Sequence, residues 1–402
     1  MNAPPESQLN APPDGHLNAP TDVPLNASNT AARFVAGVVV KALLLFALVD
    51  LVVAVINPLP ALGRLSAYNT LLPGRLRLPY GDNPDQDYNL SLFQLEAMVA
   101  SHQVAQAKAA GEYRVLLVGD SSTWGWLLPA RATLAAQLNA AGNVTATGRH
   151  VRVYNLGYPI LSLSKDLLLL SAVHDLRPDL IVWLVTLESF PADKQLFPPL
   201  VQHNPGPMRD LIARYKLNLN PDDSSFVNPS FWDRTLIGRR RDLADLLRLQ
   251  LYGVAWAATG IDQEIPATYT PLTVDLAPDP TFHGLQPPHL AADNLAFDVL
   301  EAGVAEAGPA PVLIVNEPTF VSHGQNSDIR YNFFYPRWAY DDYRQLLAAE
   351  ASAHAWHYVD LWDAAGNDQY TDSPIHLTAT GNTQLAARLT GPMLALANNA
   401  KP

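Results

Sequence analysis

Ser121, His376 and Asp372 are residue types that together perform nucleophilic acyl transfer. A serine hydroxyl attacks a carbonyl when a nearby base takes its proton, and an imidazole serves as that base when a carboxylate orients it and stabilises the imidazolium. Ser121 stands in Val115-Leu116-Leu117-Val118-Gly119-Asp120-Ser121-Ser122-Thr123-Trp124-Gly125, where an apolar run meets Gly-Asp-Ser. Short continuous apolar runs read as strands of a parallel sheet covered on both faces. A serine at the end of such a strand exposes its hydroxyl where ligands bind in open α/β folds, with its own N–H facing a developing oxyanion. Gly, Asp and Ser also favour plain turns and helix caps, so this stretch alone leaves both readings open. The remaining support lies downstream. Asp372 is four residues before His376, and Pro374 bends the chain between them, which brings the carboxylate within reach of Nδ1. Eleven histidines are available; His376 is singled out by this neighbourhood.

The elements that must position these residues alternate strand and helix. The pattern predicts strands at Arg114–Val118, Val151–Leu156, Asp179–Leu187, Pro311–Val315 and His357–Leu361, with helices around Ala130–Ala141, Lys165–His174, Asn294–Ala307 and Asp341–Ala353, and a last helix opened by Gly381-Asn382. Five strands alternating with helices predict a doubly wound, flavodoxin-like three-layer α/β/α sandwich on a parallel sheet. In it Ser121 and His376 both fall on the carboxyl edge of the sheet and can meet. Residues 190–300 interrupt the pattern and read as an insertion or lid, with one helix near Thr235–Ala258. Its Arg239-Arg240-Arg241 followed by Leu243, Leu246, Leu247, Leu249, Leu251 and Trp256 fits a helix packed on the sheet, or one docked on anionic lipid. The loop carrying His323, Asn326, Asp328, Arg330, Tyr331, Phe333, Phe334, Tyr335, Arg337 and Trp338 suits a sugar or acyl contact surface and ordinary packing equally.

The chain has 402 residues, enough for a substantial core, with 48% apolar and only 16% charged residues. A net charge of −12 argues against a nucleic-acid partner, which would require clustered Lys and Arg. With no cysteine, disulfides, Cys-ligated zinc and cysteine nucleophiles are excluded. Residues 1–33, proline-rich with an Asn-Ala echo at Asn2, Asn10, Asn18 and Asn26, read as a disordered tail. Residues 34–56 are almost wholly apolar and long enough to cross a hydrocarbon core, ending at Asn57-Pro58. Lys41 can snorkel, whereas Asp50 should face a partner, a polar headgroup or another copy of the chain. We therefore expect a single transmembrane helix, then a connector with a helix near Ser91–Ala109 (residues 57–110), then the catalytic unit over 111–402. Arg33 and Lys41 on one side and Arg64, Arg75 and Arg77 on the other leave the charge rule undecided. A short tail before a long globular unit suits an extracytoplasmic catalytic domain.

These residues, in this order, resemble the GDSL/SGNH hydrolase superfamily. Gly119-Asp120-Ser121-Ser122-Thr123-Trp124-Gly125 matches its first block, Asn155-Leu156-Gly157 its second, and Asp372 to His376 with Leu377 its last. The resemblance spans roughly residues 113–395. It implies the SGNH-hydrolase fold, Ser121 as nucleophile, His376 as base and Asp372 as orienting acid, with the N–H groups of Ser121 and Gly157 in an oxyanion hole and Asp120 beside it. It implies no cofactor or metal.

Two departures from that pattern matter. Thr186-Leu187-Glu188-Ser189 stands where the family carries Gly-x-Asn-Asp, whose asparagine donates to the oxyanion, and an ionised glutamate there would repel it. Asn155, Asn316 or another donor must substitute, or two N–H groups must serve. The family's acid usually lies three residues before the histidine, where this chain has Ser373; the proline bulge is expected to absorb the extra residue. The function expected is a membrane-anchored esterase that removes acetyl or another short acyl group from a cell-envelope or extracellular carbohydrate, a lipid ester being a further substrate class. The alternatives are an O-acyltransferase using the same acyl-enzyme, and a non-catalytic glycan-binding protein on a degenerate hydrolase fold.

Overall fold

A computed structural model describes residues 25–81, 87–261, 263 and 268–399. Its centre is a five-stranded, wholly parallel sheet of β1 (Glu112–Val118), β2 (His150–Asn155), β3 (Leu180–Val185), β4 (Val312–Asn316) and β5 (His357–Asp360). The order is β2-β1-β3-β4-β5, the flavodoxin-like doubly wound order. Every residue of β1, β3 and β4 is buried, as their unbroken apolar runs require when helices cover both faces. Leu116, Val118, Trp183 and Ile314 face one apolar layer with the helices Leu163–Val173 and Phe297–Glu306. Val115, Leu117, Val182 and Leu313 face the other, with Leu134–Ala140 and Ala379–Asn399. Register pairs Val118 with Trp183 and Val185 with Asn316, so the strand ends that carry the candidate residues lie side by side.

The expected strands and most helices recur with ends displaced by a few residues. The helix expected over Ala130–Ala141 begins at Leu134, where Thr133 Oγ1 accepts from the Ala136 N–H and caps it. The helix expected over Ser91–Ala109 is broken into Leu90–Leu92, Leu95–Ser101 and Gln103–Ala105. His102 leaves the helical conformation there because the Arg75 N–H donates to Ser101 and the Gln103 N–H donates to Arg75. The region 57–110 also shares the domain core: Leu78, Tyr80, Leu95, Met98 and Val104 pack with Trp124 and Tyr158.

The first apolar helix runs Leu25–Ile56, so residues 25–33, read as tail, are helical; residues 1–24 lie outside the described residues. Asn29–Ile56 is long and apolar enough to cross a membrane, with a mean hydropathy of 2.8, and its side chains are almost all exposed. In the insertion, a helix at Pro205–Tyr215 was not foreseen, because Pro205, Gly206 and Pro207 resemble a loop; prolines are tolerated in a first helical turn. The expected Thr235–Ala258 helix runs Arg240–Thr259, since Thr235 Oγ1 is taken by the turn that ends at Gly238. It packs not on the sheet but on the connector, through Leu246 and Leu249 against Leu59, Tyr68 and Leu90.

Candidate active site

Ser121 opens a short helix, Ser121–Trp124, immediately after β1, with Asp120 as its cap: Asp120 Oδ1 accepts from the Ser122 N–H at 2.7 Å. Gly125 ends that turn at φ 92°, a left-handed backbone that suits glycine. His376 arrives from the loop after β5. The Tyr370–Leu377 bridge closes this loop, the His376 N–H donates to the Ser373 carbonyl at 3.2 Å, and Thr371 Oγ1 donates to Asp372 Oδ1 at 3.0 Å. These elements bring the three residues into one line. Ser121 Oγ lies 2.7 Å from His376 Nε2, and His376 Nδ1 lies 2.8 Å from Asp372 Oδ1. Asp372 therefore reaches the imidazole from four residues away, while Ser373 supplies only the carbonyl that tightens the turn.

Burial raises the Asp372 pKa, but the hydrogen bond and charge of His376 and the Thr371 hydroxyl outweigh it, and the group sits below the ordinary carboxylate value. With Nδ1–H donated to Asp372, Nε2 is free to accept the Ser121 Oγ–H. Proton transfer then leaves an alkoxide-like oxygen and an imidazolium held by a carboxylate. Trp126, half-buried, lies with its ring 6.0 Å from the His376 ring and forms an apolar wall beside it.

The groups expected to donate to an oxyanion have the following partners. Among the described residues nothing takes up the Ser121 N–H, which leaves it available. The Gly157 N–H instead donates to Asn155 Oδ1 at 3.0 Å, within its own loop. Gly157 packs so closely on the Ser121–Trp124 turn that a Cβ would lie 2.4 Å from the Trp124 nitrogen. Both asparagines make contacts of their own. Asn155 Nδ2 donates to the Trp124 carbonyl at 3.3 Å, fixing one loop to the other. Asn316 Nδ2 donates to Asp360 Oδ1 at 2.9 Å and its Oδ1 accepts from Tyr343, joining β4 to β5. Glu188 is not an unpaired charge: Lys194 Nζ lies 2.8 Å and His283 Nε2 3.1 Å from its Oε1, both supplied by the insertion. The hydrogen bond with Glu188 also holds the His283 pKa up. An irregular segment of the insertion crosses the histidine loop, with the Leu272 N–H donating to Thr371 O at 2.9 Å. The aromatic loop is mainly packing: Arg330 is buried and donates to the carbonyls of Asn332, Phe333, Phe334, Asp279 and Thr281, and Tyr331 and Tyr335 are buried.

Two buried groups beneath Ser121 were not read from the sequence. Lys165 Nζ donates to the Gly119 and Tyr158 carbonyls, each at 2.8 Å, and pairs with Asp166 Oδ1 at 2.6 Å. It ties the turn before Ser121 to the loop after β2. Glu317, next to Asn316, accepts from Ser122 Oγ and lies against Asp120; burial first, then the Asp120 charge, pushes its pKa well above the usual carboxylate range. A second ionised carboxylate beside Asp120 is unfavourable in this buried setting, which is the direction of the Glu317 shift. A charged pair at the head of a leucine-rich helix, and an acid directly after a buried strand, were the available signals.

No protein-family model matches the chain, and no curated protein does. Solved structures do match. A carbohydrate acetylesterase from Sinorhizobium meliloti is 15% identical, with 70% of this chain and 99% of that one covered and a TM-score of 0.32. An aryl esterase from M. smegmatis is 15% identical, with 70% and 99% covered and a TM-score of 0.33. A lipase/acylhydrolase from Enterococcus faecalis is 15% identical, with 70% and 96% covered and a TM-score of 0.35.

Proposed function

We propose that the chain is a membrane-anchored serine esterase that cleaves acetyl or other short acyl esters from a cell-envelope or extracellular carbohydrate. The observation that carries this reading is the hydrogen-bonded line from Ser121 through His376 to Asp372 at the sheet's carboxyl edge. Ser121 Oγ attacks the ester carbonyl as His376 Nε2 takes its proton, and the Ser121 N–H is the donor placed to receive the oxyanion. His376 then returns the proton to the departing alkoxide, leaving an acyl-serine and a free hydroxyl. Water, deprotonated by the same imidazole, releases the acid and restores Ser121. A glycan hydroxyl in place of water would make the same enzyme an O-acyltransferase. The helix Leu25–Ile56 spans the membrane and Asp50 finds its partner in the Ile237 N–H at 3.2 Å.

The test is fluorophosphonate labelling of the full chain, with hydrolysis of 4-nitrophenyl acetate followed in parallel. Wild type is expected to form an adduct at Ser121 and to release acetate; Ser121→Ala is expected to lose the adduct and about 10³-fold or more of the rate. A folded wild type that neither labels nor hydrolyses would favour the binding-protein reading. Acetate release from acetylated xylan or peptidoglycan then defines the substrate.

A further inference from the structure

The helix Arg240–Thr259 has two apolar faces. Leu246, Leu249 and Gly253 turn inward, with Gly253 pressed on the Tyr68 ring. Leu247, Leu251 and Val254 form a second stripe at i, i+4 and i+7, and it faces outward: Leu247 is 63% and Leu251 76% exposed. Exposed Leu65 borders it, because Gln250 Nε2 donates to the Leu65 carbonyl. The chain entering the helix continues the surface with exposed Phe231, Trp232 and Ile237, Trp232 at 75%. Large exposed apolar side chains at this density over residues 231–254 mark a contact that the isolated chain does not show.

Its position identifies the contact. The Ile237 N–H donates to Asp50 at 3.2 Å and Arg239 donates to Asn57 at 3.4 Å, so this segment is fastened to the end of Leu25–Ile56. Asp50 lies about 9 Å along the axis from Ile56, at about 1.5 Å per residue. If that helix crosses a bilayer, Ile237 and its neighbours lie at headgroup depth, where tryptophan is favoured and apolar side chains enter the acyl boundary. We propose that residues 231–261 form a second membrane contact, laying Trp232, Ile237, Leu247 and Leu251 into the bilayer interface. The domain is then held against the lipid at two places instead of swinging on one helix. This rests on the anchor reading given under the proposed function.

The absence of cysteine allows single-site labelling of the full chain. Phe46→Cys, Trp232→Cys, Leu251→Cys and Thr383→Cys, each at an exposed position, are labelled with a nitrobenzoxadiazole dye and reconstituted in phosphatidylcholine/phosphatidylglycerol vesicles. Nitroxide lipids, shallow or deep, are the quenchers. The expected result is deep quenching at Phe46→Cys, and shallow quenching at Trp232→Cys and Leu251→Cys at least twofold above Thr383→Cys. Deep quenching at Phe46→Cys with Trp232→Cys and Leu251→Cys no better quenched than Thr383→Cys overturns the second contact and leaves the anchor standing. No lipid quenching at Phe46→Cys overturns the anchor and this inference with it. Emission at Leu251→Cys that shifts with protein dilution, without lipid quenching, assigns the stripe to another copy of the chain and likewise overturns the proposal.

Discussion

At the scale of single residues, the imidazole of His376 connects every step of the proposed reaction, and its hydrogen bond to Asp372 fixes which nitrogen faces Ser121. Asp372→Asn keeps the shape but presents an amide that can hold the wrong tautomer. A loss of about 10⁴-fold in kcat is expected, with little change in KM, and steady-state hydrolysis of 4-nitrophenyl acetate measures it. The same residue sets a stability signature. Its folded-state pKa lies below the unfolded value, so its stabilising contribution is complete above the ordinary carboxylate range and lost as pH falls through the depressed value. The difference in Tm between wild type and Asp372→Asn should hold from neutral pH down to about pH 5 and close only below about pH 4. Closure near neutrality would mean that Asp372 is not the imidazole's partner.

At the scale of elements, what the sequence announces is what repeats along it. Val115–Val118 and Leu180–Val185 are legible as strands because burial on two faces demands unbroken apolar runs, and Gly119-Asp120-Ser121 is legible because the strand stops there. Cross-chain pairings leave no such period. Lys165 reads as the polar start of a leucine-rich helix, yet its ammonium holds Gly119 and Tyr158 together. Glu317 reads as a turn residue, yet it ends beside Asp120 and Ser122. The helix break at His102 depends on Arg75, far enough back that local propensity is blind to it. Lys165→Met should strand Asp166 as a buried charge and cost about 3–5 kcal/mol in chemical denaturation. Glu317 carries the opposite sign to Asp372. Its folded pKa is raised, so its contribution is complete below the unfolded carboxylate value and lost as pH rises through the elevated one. Wild type should therefore lose Tm as pH rises above the ordinary carboxylate range, and Glu317→Gln, which cannot ionise, should give a flatter profile. Parallel profiles would assign that loss to another group.

At the scale of the whole molecule, the insertion does more than cover the sheet. One part brings Lys194 and His283 to Glu188 and crosses the histidine loop at Thr371; another fastens onto the apolar helix at Asp50 and Asn57. The insertion therefore ties the candidate site to the apolar N-terminal helix, and under the proposed anchoring this fits an ester presented near the envelope better than one diffusing freely. The proposed anchoring requires the domain and its proposed substrate to lie on one side of the bilayer. With the domain outside, protease added to intact cells should digest the chain beyond residue 56 while a fragment containing Leu25–Ile56 stays in the membrane after alkaline carbonate washing. Full protection until the cells are opened would put the domain in the cytoplasm and remove extracellular glycans as substrates. The Ser121–His376–Asp372 geometry would be unaffected, leaving an acyl ester on the inner face as the substrate to seek.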